Sequence, residues 1–495
     1  MRNTFFKGCQ PEIVAGPDGS ILAVGRGAGA IAGRDAEIIE VPDATTLAGL
    51  HDSHLHLEWL ALRKTNLEVQ SARTRRAVLA AVAGRAAKLP AQAWIVGRGW
   101  YNDDWRDDSS WPTRAELDRA GGGRPVFLTR KDGHSAWLST AALRATGVTE
   151  IDGNPAAGVI DREPDGFPAG TLRESAVAKA RSRVPQPTEE QFDAGMLAAL
   201  RDLSRKGITS VHTMDTPRGF RSLERLDFKQ DLPVRVTWNL PADEISHAER
   251  LGLRSGWGGG RLRIWGLKAF LDGSLGSRTA EMLDGGGVPI LPQDELVDLV
   301  QRAAAAELNV CLHAIGDKAV RRALDALEPL AGAWSHWRPR IEHVQCCHPD
   351  DWVRFRRSGT IASMQPLHAV ADREMADREW PLVTSHSYAW RGLEKAGATL
   401  AFGSDAPVED ASPLLGIDAA TSWRRRARWF PEQALSRTSA IRAYTLNAAF
   451  SVGTEKTLGS LAPGKQCDLT FIAGEGPEAR VLATVVAGRI TWRRA

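Results

Sequence analysis

From about residue 200 onward, short apolar runs alternate with amphipathic stretches. The runs are Ile208–Met214, Val234–Leu240, Leu262–Leu271, Asn309–Ile315, Arg340–Val344, Thr360–Gln365 and Thr399–Gly403, and the stretches include Asp294–Ala306 and Lys318–Leu330. Short apolar runs bounded by turns read as buried strands, and apolar residues recurring every three or four positions read as helices. Repeated strand-then-helix units imply a parallel sheet with right-handed crossovers. With the earlier run Leu47–His56 there are eight such strands. The pattern predicts an α/β fold, a closed (β/α)8 TIM-like barrel; the alternative is an open doubly wound sheet.

The termini follow a different rhythm. Residues 1–46 alternate short apolar runs with Gly and Asp turns, and residues 459–495 repeat that style in Asp468–Ala473 and Arg480–Trp492. Both read as antiparallel strands, and together they predict one small β-sandwich-like domain built from the two ends. Between the first and second barrel strands lies a stretch far too long for a structureless loop. Residues 70–175 are therefore expected to form an inserted α/β subdomain, with strands at Trp94–Trp100 and Pro125–Thr129 and a helix at Leu138–Ala145. The barrel then takes residues 47–69 and 176–458. An insertion after a barrel strand emerges at the C-terminal face, where barrel active sites lie.

Composition narrows the function classes. The chain has 495 residues and a formal charge of +3. Its densest basic stretch, Arg424–Arg428, reads as a solvated helix face, so no nucleic-acid partner is expected. No apolar stretch approaches the ~20 residues of a membrane span, and residues 1–8 have no signal-peptide core. The five cysteines are odd in number and lack Cys-x-x-Cys spacing, which fits a reducing, cytoplasmic compartment rather than a disulfide framework.

The candidate chemistry sits where the strands end. His54 and His56 stand at i and i+2 of the first strand, so a regular strand projects both imidazoles from one face. Neutral imidazole suits zinc and neighbouring transition metals. His313, His343 and Asp405 each end a later strand, and Lys268 falls within another. Taken singly, each has a structural explanation in packing, capping or snorkelling. Together they occupy strands one, four, five, six and eight, an order that packing does not explain. His212 ends a strand as well.

The motifs Asp52-Ser-His-Leu-His56, Asp132-Gly-His-Ser-Ala-Trp137, Lys268-Ala-Phe-Leu-Asp-Gly273, His313-Ala-Ile-Gly-Asp317, Ile341-Glu-His343 and Gly403-Ser-Asp-Ala-Pro407 span most of the chain. They resemble the amidohydrolase superfamily, metal-dependent hydrolases on a (β/α)8 barrel, and within it the family-three branch that includes N-substituted formamide deformylases. One departure is Ala48-Gly-Leu-His-Asp52, where the family usually carries Pro-Gly-Phe-Ile-Asp. The resemblance implies a divalent metal, zinc first, one or two per chain. His54 and His56 with Asp405 would hold the more buried ion, and His313 and His343 the second. Lys268, carboxylated by carbon dioxide to a carbamate, would bridge them. A bare ammonium repels a divalent cation, so Lys268 can be a ligand only in that form.

The expected reaction is hydrolysis of a non-peptide carbon–nitrogen bond in a small molecule, an amide or N-formyl group, by metal-activated water, with Asp405 as proton shuttle. Weaker substrate-binding candidates are His134, Arg278, His368 and Trp100, with Trp137 beside them. The alternatives are a deaminase of a ring amidine, a lactone or phosphotriester hydrolase, and, last, a non-catalytic barrel relative. A homo-oligomer is compatible with the sequence but not specified by it.

Overall fold

A computed structural model describes residues 2–64, 66–149 and 151–494. The domain assignments at positions 1, 65, 150 and 495 lie outside the described residues. Eight parallel strands form the barrel in the order Leu50–Leu55, Ile208–Thr213, Arg235–Pro241, Leu262–Phe270, Asn309–Ala314, Arg340–His343, Ile361–Met364 and Thr399–Phe402. Several, including the first, fifth and sixth, are buried along their whole length, as parallel strands covered on both faces must be. The ends of the sheet meet where the Asp405 N–H donates to the His54 carbonyl at 2.7 Å and the His56 N–H to the Ala406 carbonyl at 2.8 Å. Gly403 permits that approach: a Cβ there would stand 2.4 Å from the His54 nitrogen. Helices pack outside. Glu189–Arg205, which leads into the second strand, starts at a Thr188/Gln191 capping box and turns Phe192, Met196, Leu200 and Leu203 inward.

The termini share one seven-stranded sheet. The expectation of purely antiparallel pairing fails at its centre, where Thr4–Gln10 runs parallel to Glu37–Ala48. Leu469–Ala473 then pairs antiparallel on the other side of Glu37–Ala48. All seven strands belong to one hydrogen-bonded path. The run read as Leu47–His56 is two strands. Leu47 and Ala48 pair with Thr470 and Leu469 in the terminal sheet, and the barrel strand starts at Leu50, after Gly49.

A third sheet, six-stranded, lies between the first and second barrel strands. Leu67–Glu68, Ile95–Trp100 and Val126–Arg130 pair in parallel, and Ser135–Leu138, Pro168–Glu174 and Gly158–Arg162 extend the sheet antiparallel. Its core packs Trp100, Trp105 and Trp137 together. It reaches the barrel mouth through Gln70 Nε2, which donates to the Val408 carbonyl at 3.0 Å, and through the Lys131–Glu409 ion pair. Among the described residues, no helix is long and apolar enough to cross a membrane. All five cysteines are buried and unpaired.

Candidate metal centre

His54 lies at the end of the first barrel strand, fully buried, and His56 follows just past it as the residue that caps helix Leu57–Leu62. Their rings are 5.5 Å apart. Asp405 closes the triangle from beyond the eighth strand. Its backbone is left-handed, φ 58°, a conformation Asp adopts more readily than most residues. That turn swings the carboxylate back over the barrel axis, with Oδ1 3.1 Å from His56 Nε2 and 3.6 Å from His54 Nε2. Donor atoms of His54, His56 and Asp405 all fall within 4.8 Å of one another, and so do those of His343, His368 and Asp405.

Hydrogen bonds to the other ring nitrogens decide which imidazoles can ligate. His54 Nδ1 lies 2.6 Å from Glu342 Oε2, and His343 Nδ1 lies 2.9 Å from Gln365 Oε1. An acceptor on Nδ1 fixes the proton there and leaves the Nε2 lone pair free. His313 is the reverse case: Nε2 donates to the Gly273 carbonyl at 2.9 Å, so Nδ1 is free. At His368 the partner is a donor, Gln345 Nε2, 2.9 Å from Nδ1. With the Gln345 amide in this orientation the His368 proton sits on Nε2, which points toward Asp405 Oδ2 at 3.6 Å. In that tautomer His368 has the geometry of a ligand but the protonation of a hydrogen-bond donor. His313 joins neither compact triad, yet its ring lies 4.5 Å from that of His343 with a lone pair available.

Lys268, on the fourth strand, is 4% exposed; its Nζ has no hydrogen-bond partner and sits 4.6 Å from the Phe270 ring. Burial lowers its pKa, against the pull of Glu342 and Asp405. Burial, with Lys268 nearby, also brings His54 down to about 4 despite Glu342, and holds His313 and His343 well below the ordinary imidazole range. Burial would raise the Asp405 carboxyl, but the His56 hydrogen bond and the neighbouring imidazoles hold it below its usual range. The cluster thus offers neutral imidazoles, an ionised carboxylate and an amine with depressed basicity. His54 Nε2 and Lys268 Nζ are buried polar atoms with no protein partner. Such a donor set fits a divalent cation.

The centre opens into a cavity of about 440 Å³ between the barrel mouth and the insertion, lined among others by Trp59, Tyr101, Lys131, His134 and Asp372. His134 reaches it from the insertion, 6.2 Å from the His313 ring, with Nδ1 donating to Glu174 Oε2 at 2.9 Å. Burial lowers its pKa, but Glu174 prevails and raises it to about 9. Four residues singled out from the sequence lie elsewhere. Arg278 is largely exposed and pairs with Glu379 at 3.1 Å. Trp100 and Trp137 are buried in the insertion, their indole N–H groups donating to the Leu128 and Thr113 carbonyls. His212 faces Arg340 inside the barrel, 3.0 Å from its guanidinium.

The profile of the amidohydrolase family matches residues 37–492. The chain belongs to the amidohydrolase family. It is 30% identical to Protein LONG AFTER FAR-RED 3 of Arabidopsis thaliana, over 89% of this chain and 81% of that protein. It is 25% identical to N-substituted formamide deformylase of Arthrobacter pascens, over 98% and 95% of the two chains. Among solved structures, a metal-dependent hydrolase of Pyrococcus horikoshii superposes with a TM-score of 0.76 at 26% identity, covering 97% of this chain and 96% of that one. The family-three resemblance and the barrel expectation therefore hold, and the chain is a hydrolase.

Sequence reasoning passed over Glu342, Gln345 and Gln365, the groups that orient three imidazoles of this amidohydrolase. Glu342 left a trace. It stands two residues from Arg340 in a four-residue strand that is wholly buried, and two charges on one face of such a strand must pair. Gln345 and Gln365 left none, because their role depends on a ring that only folding brings near.

Proposed function

We propose that this amidohydrolase cleaves a carbon–nitrogen bond other than a peptide bond, an amide or N-formyl group of a small molecule, with zinc as its divalent metal. The reading rests on the convergence of His54, His56 and Asp405, whose donor atoms lie within 4.8 Å at the barrel mouth. The names of two relatives, a formamide deformylase and a metal-dependent hydrolase, support it. His54, His56 and Asp405 would hold one ion; His343 through Nε2, His313 through Nδ1 and carboxylated Lys268 would hold a second. The partnerless Nζ of Lys268, with its depressed basicity, supports the carbamate: the neutral amine adds to carbon dioxide, a nitrogen–carbon bond forms and one proton leaves. Five unpaired cysteines support a cytoplasmic setting.

A divalent metal supplies Lewis acidity at this centre, making water more acidic and a substrate carbonyl more electrophilic. The side chains do the rest. Asp405 accepts the proton of the attacking water and delivers it to the departing nitrogen as the carbon–oxygen bond forms and the carbon–nitrogen bond breaks. His368, protonated on Nε2, and His134, charged at neutral pH, donate to the carbonyl oxygen as negative charge develops there. Glu342 and Gln365 hold the His54 and His343 rings in the required tautomers.

The test is a liquid-chromatography screen of metal-analysed protein against formamides, N-acyl amino acids, cyclic amides and amino-substituted heterocycles. Metal-dependent release of formate or another acid is the expected result. Release of ammonia from the heterocycles with the amides untouched would replace amide hydrolysis by deamination. Full activity in metal-free protein would overturn the reading altogether.

A further inference from the structure

Between the inserted sheet and the barrel lies a second cavity, of about 450 Å³. It adjoins the catalytic one and shares Glu58, Trp59 and Thr216 with it. Its lining carries three guanidinium groups, Arg98, Arg181 and Arg218. Two fully buried arginines elsewhere face carboxylates, Arg130 pairing with Asp103 and Asp132 and Arg340 with Glu342, whereas a third, Arg424, is held by backbone carbonyls and by the Trp390 and Trp429 rings. Among the described residues, none of the three lining arginines makes an ion pair. Arg98, 7% exposed, donates only to the carbonyls of Pro407, at 3.3 Å, and Lys131, at 2.8 Å. Arg181 donates to Thr129 Oγ1 at 3.1 Å, and Arg218 to Gln186 Oε1 at 2.9 Å and the Pro187 carbonyl at 2.8 Å.

Every one of those acceptors is neutral. Arg98 is withdrawn from water without an ion pair, which is costly, while Arg181 and Arg218 are half-buried; arginine forks match carboxylate geometry. The one carboxylate in the lining, Glu58, sits at the rim shared with the catalytic cavity. Burial lowers the pKa of Arg98, against the pull of Glu68, and that of Arg181, against the pull of Glu58. Val96, Phe127, Val184 and Pro185 supply the apolar part of the wall, beside polar groups such as Asn66, Ser182 and Gln186. We infer that this cavity binds an organic carboxylate with an apolar body, its anion held by Arg98, Arg181 and Arg218. The inference uses no metal and does not depend on the proposed reaction. Trp59 connects the two sites: its ring stacks on His56 with centroids 4.4 Å apart and lies 5.6 Å from the Arg98 guanidinium carbon.

The experiment is calorimetric titration of the full-length protein with 1-naphthoate and with 1-naphthylmethanol, a neutral analogue of similar shape. Naphthoate should bind at least tenfold more tightly. Arg181→Gln and Arg218→Gln should each weaken naphthoate at least fivefold and leave the alcohol unchanged; the second variant, farther from the buried interface, serves if the first does not fold. Naphthoate that competes with an amide substrate would mark the cavity as the seat of a substrate's acid end. Binding without competition would mark a separate acid. Equal affinity for acid and alcohol would overturn the inference. So would naphthoate binding that survives both arginine substitutions but disappears in Asp405→Asn, which would place the carboxylate at the metal centre.

Discussion

Glu342→Gln tests whether the metal centre is organised from behind. Glu342 is fully buried, accepts the His54 Nδ1 proton at 2.6 Å and pairs with Arg340 at 2.8 Å. Glutamine keeps the shape and one acceptor but removes the charge from both contacts. Groups that orient a metal-bound histidine are typically worth 10–100-fold in metal affinity, or ~1.4–2.8 kcal/mol. The fold should suffer too: breaking a buried ion pair on one side costs ~3–5 kcal/mol, and glutamine should recover part of that by hydrogen bonding to Arg340. Glu342→Ala recovers none, so the two variants separate the electrostatic from the positional contribution. Competition with a chromogenic chelator measures metal affinity, and denaturant unfolding of the metal-free protein measures stability. The expected order in both assays is wild type, then Gln, then Ala. A Glu342→Gln protein with wild-type metal affinity would show that His54 is oriented without its buried partner, and the tautomer argument would fall with it.

Asp405→Asn cannot take the water proton and should lower kcat by at least about two orders of magnitude with the fold intact; a metal-replete variant with near-normal kcat would move the proton shuttle to another residue. Lys268→Ala should lose activity and metal together, with partial rescue by short carboxylic acids that replace the carbamate oxygens; unchanged metal content would exclude a ligand role. Asp215, buried beside the cavity, has its pKa raised from 3.8 to about 8, chiefly by burial and then by Glu58. Between those values the unfolded carboxyl ionises while the folded one keeps its proton, so stability falls as pH rises through that window and levels off above it. Asp215→Asn should remove this loss, gaining on the order of 1 kcal/mol or more at pH 8 relative to pH 5, as read by denaturant unfolding; parallel pH profiles for the two proteins would refute it.

Much of this protein is set locally. Strand-then-helix alternation fixes a parallel sheet because a buried parallel strand must be apolar on both faces, as Asn309–Ala314 is apart from Asn309 and His313. The long gap between the first two strands forces an inserted unit, because a chain of that length cannot remain unpaired inside a compact protein. The strand-end positions of His54, His313, His343 and Asp405 are legible for the same reason: strand ends can be read from pattern, and the barrel puts them all at one mouth. Other properties are non-local. The parallel pairing of Thr4–Gln10 with Glu37–Ala48 depends on a partner that its own alternation cannot specify. The exclusion of Trp100 and Arg278 from the cavity depends on how the insertion packs. The difference between His368 as ligand and as proton donor lies in one amide, Gln345, 2.9 Å away and contributed by another element. Sequence pattern carries what a residue prefers by itself, its burial, period and charge; tertiary structure alone decides which residue's hydrogen-bond partner it becomes, because tautomer, orientation and pKa are properties of pairs.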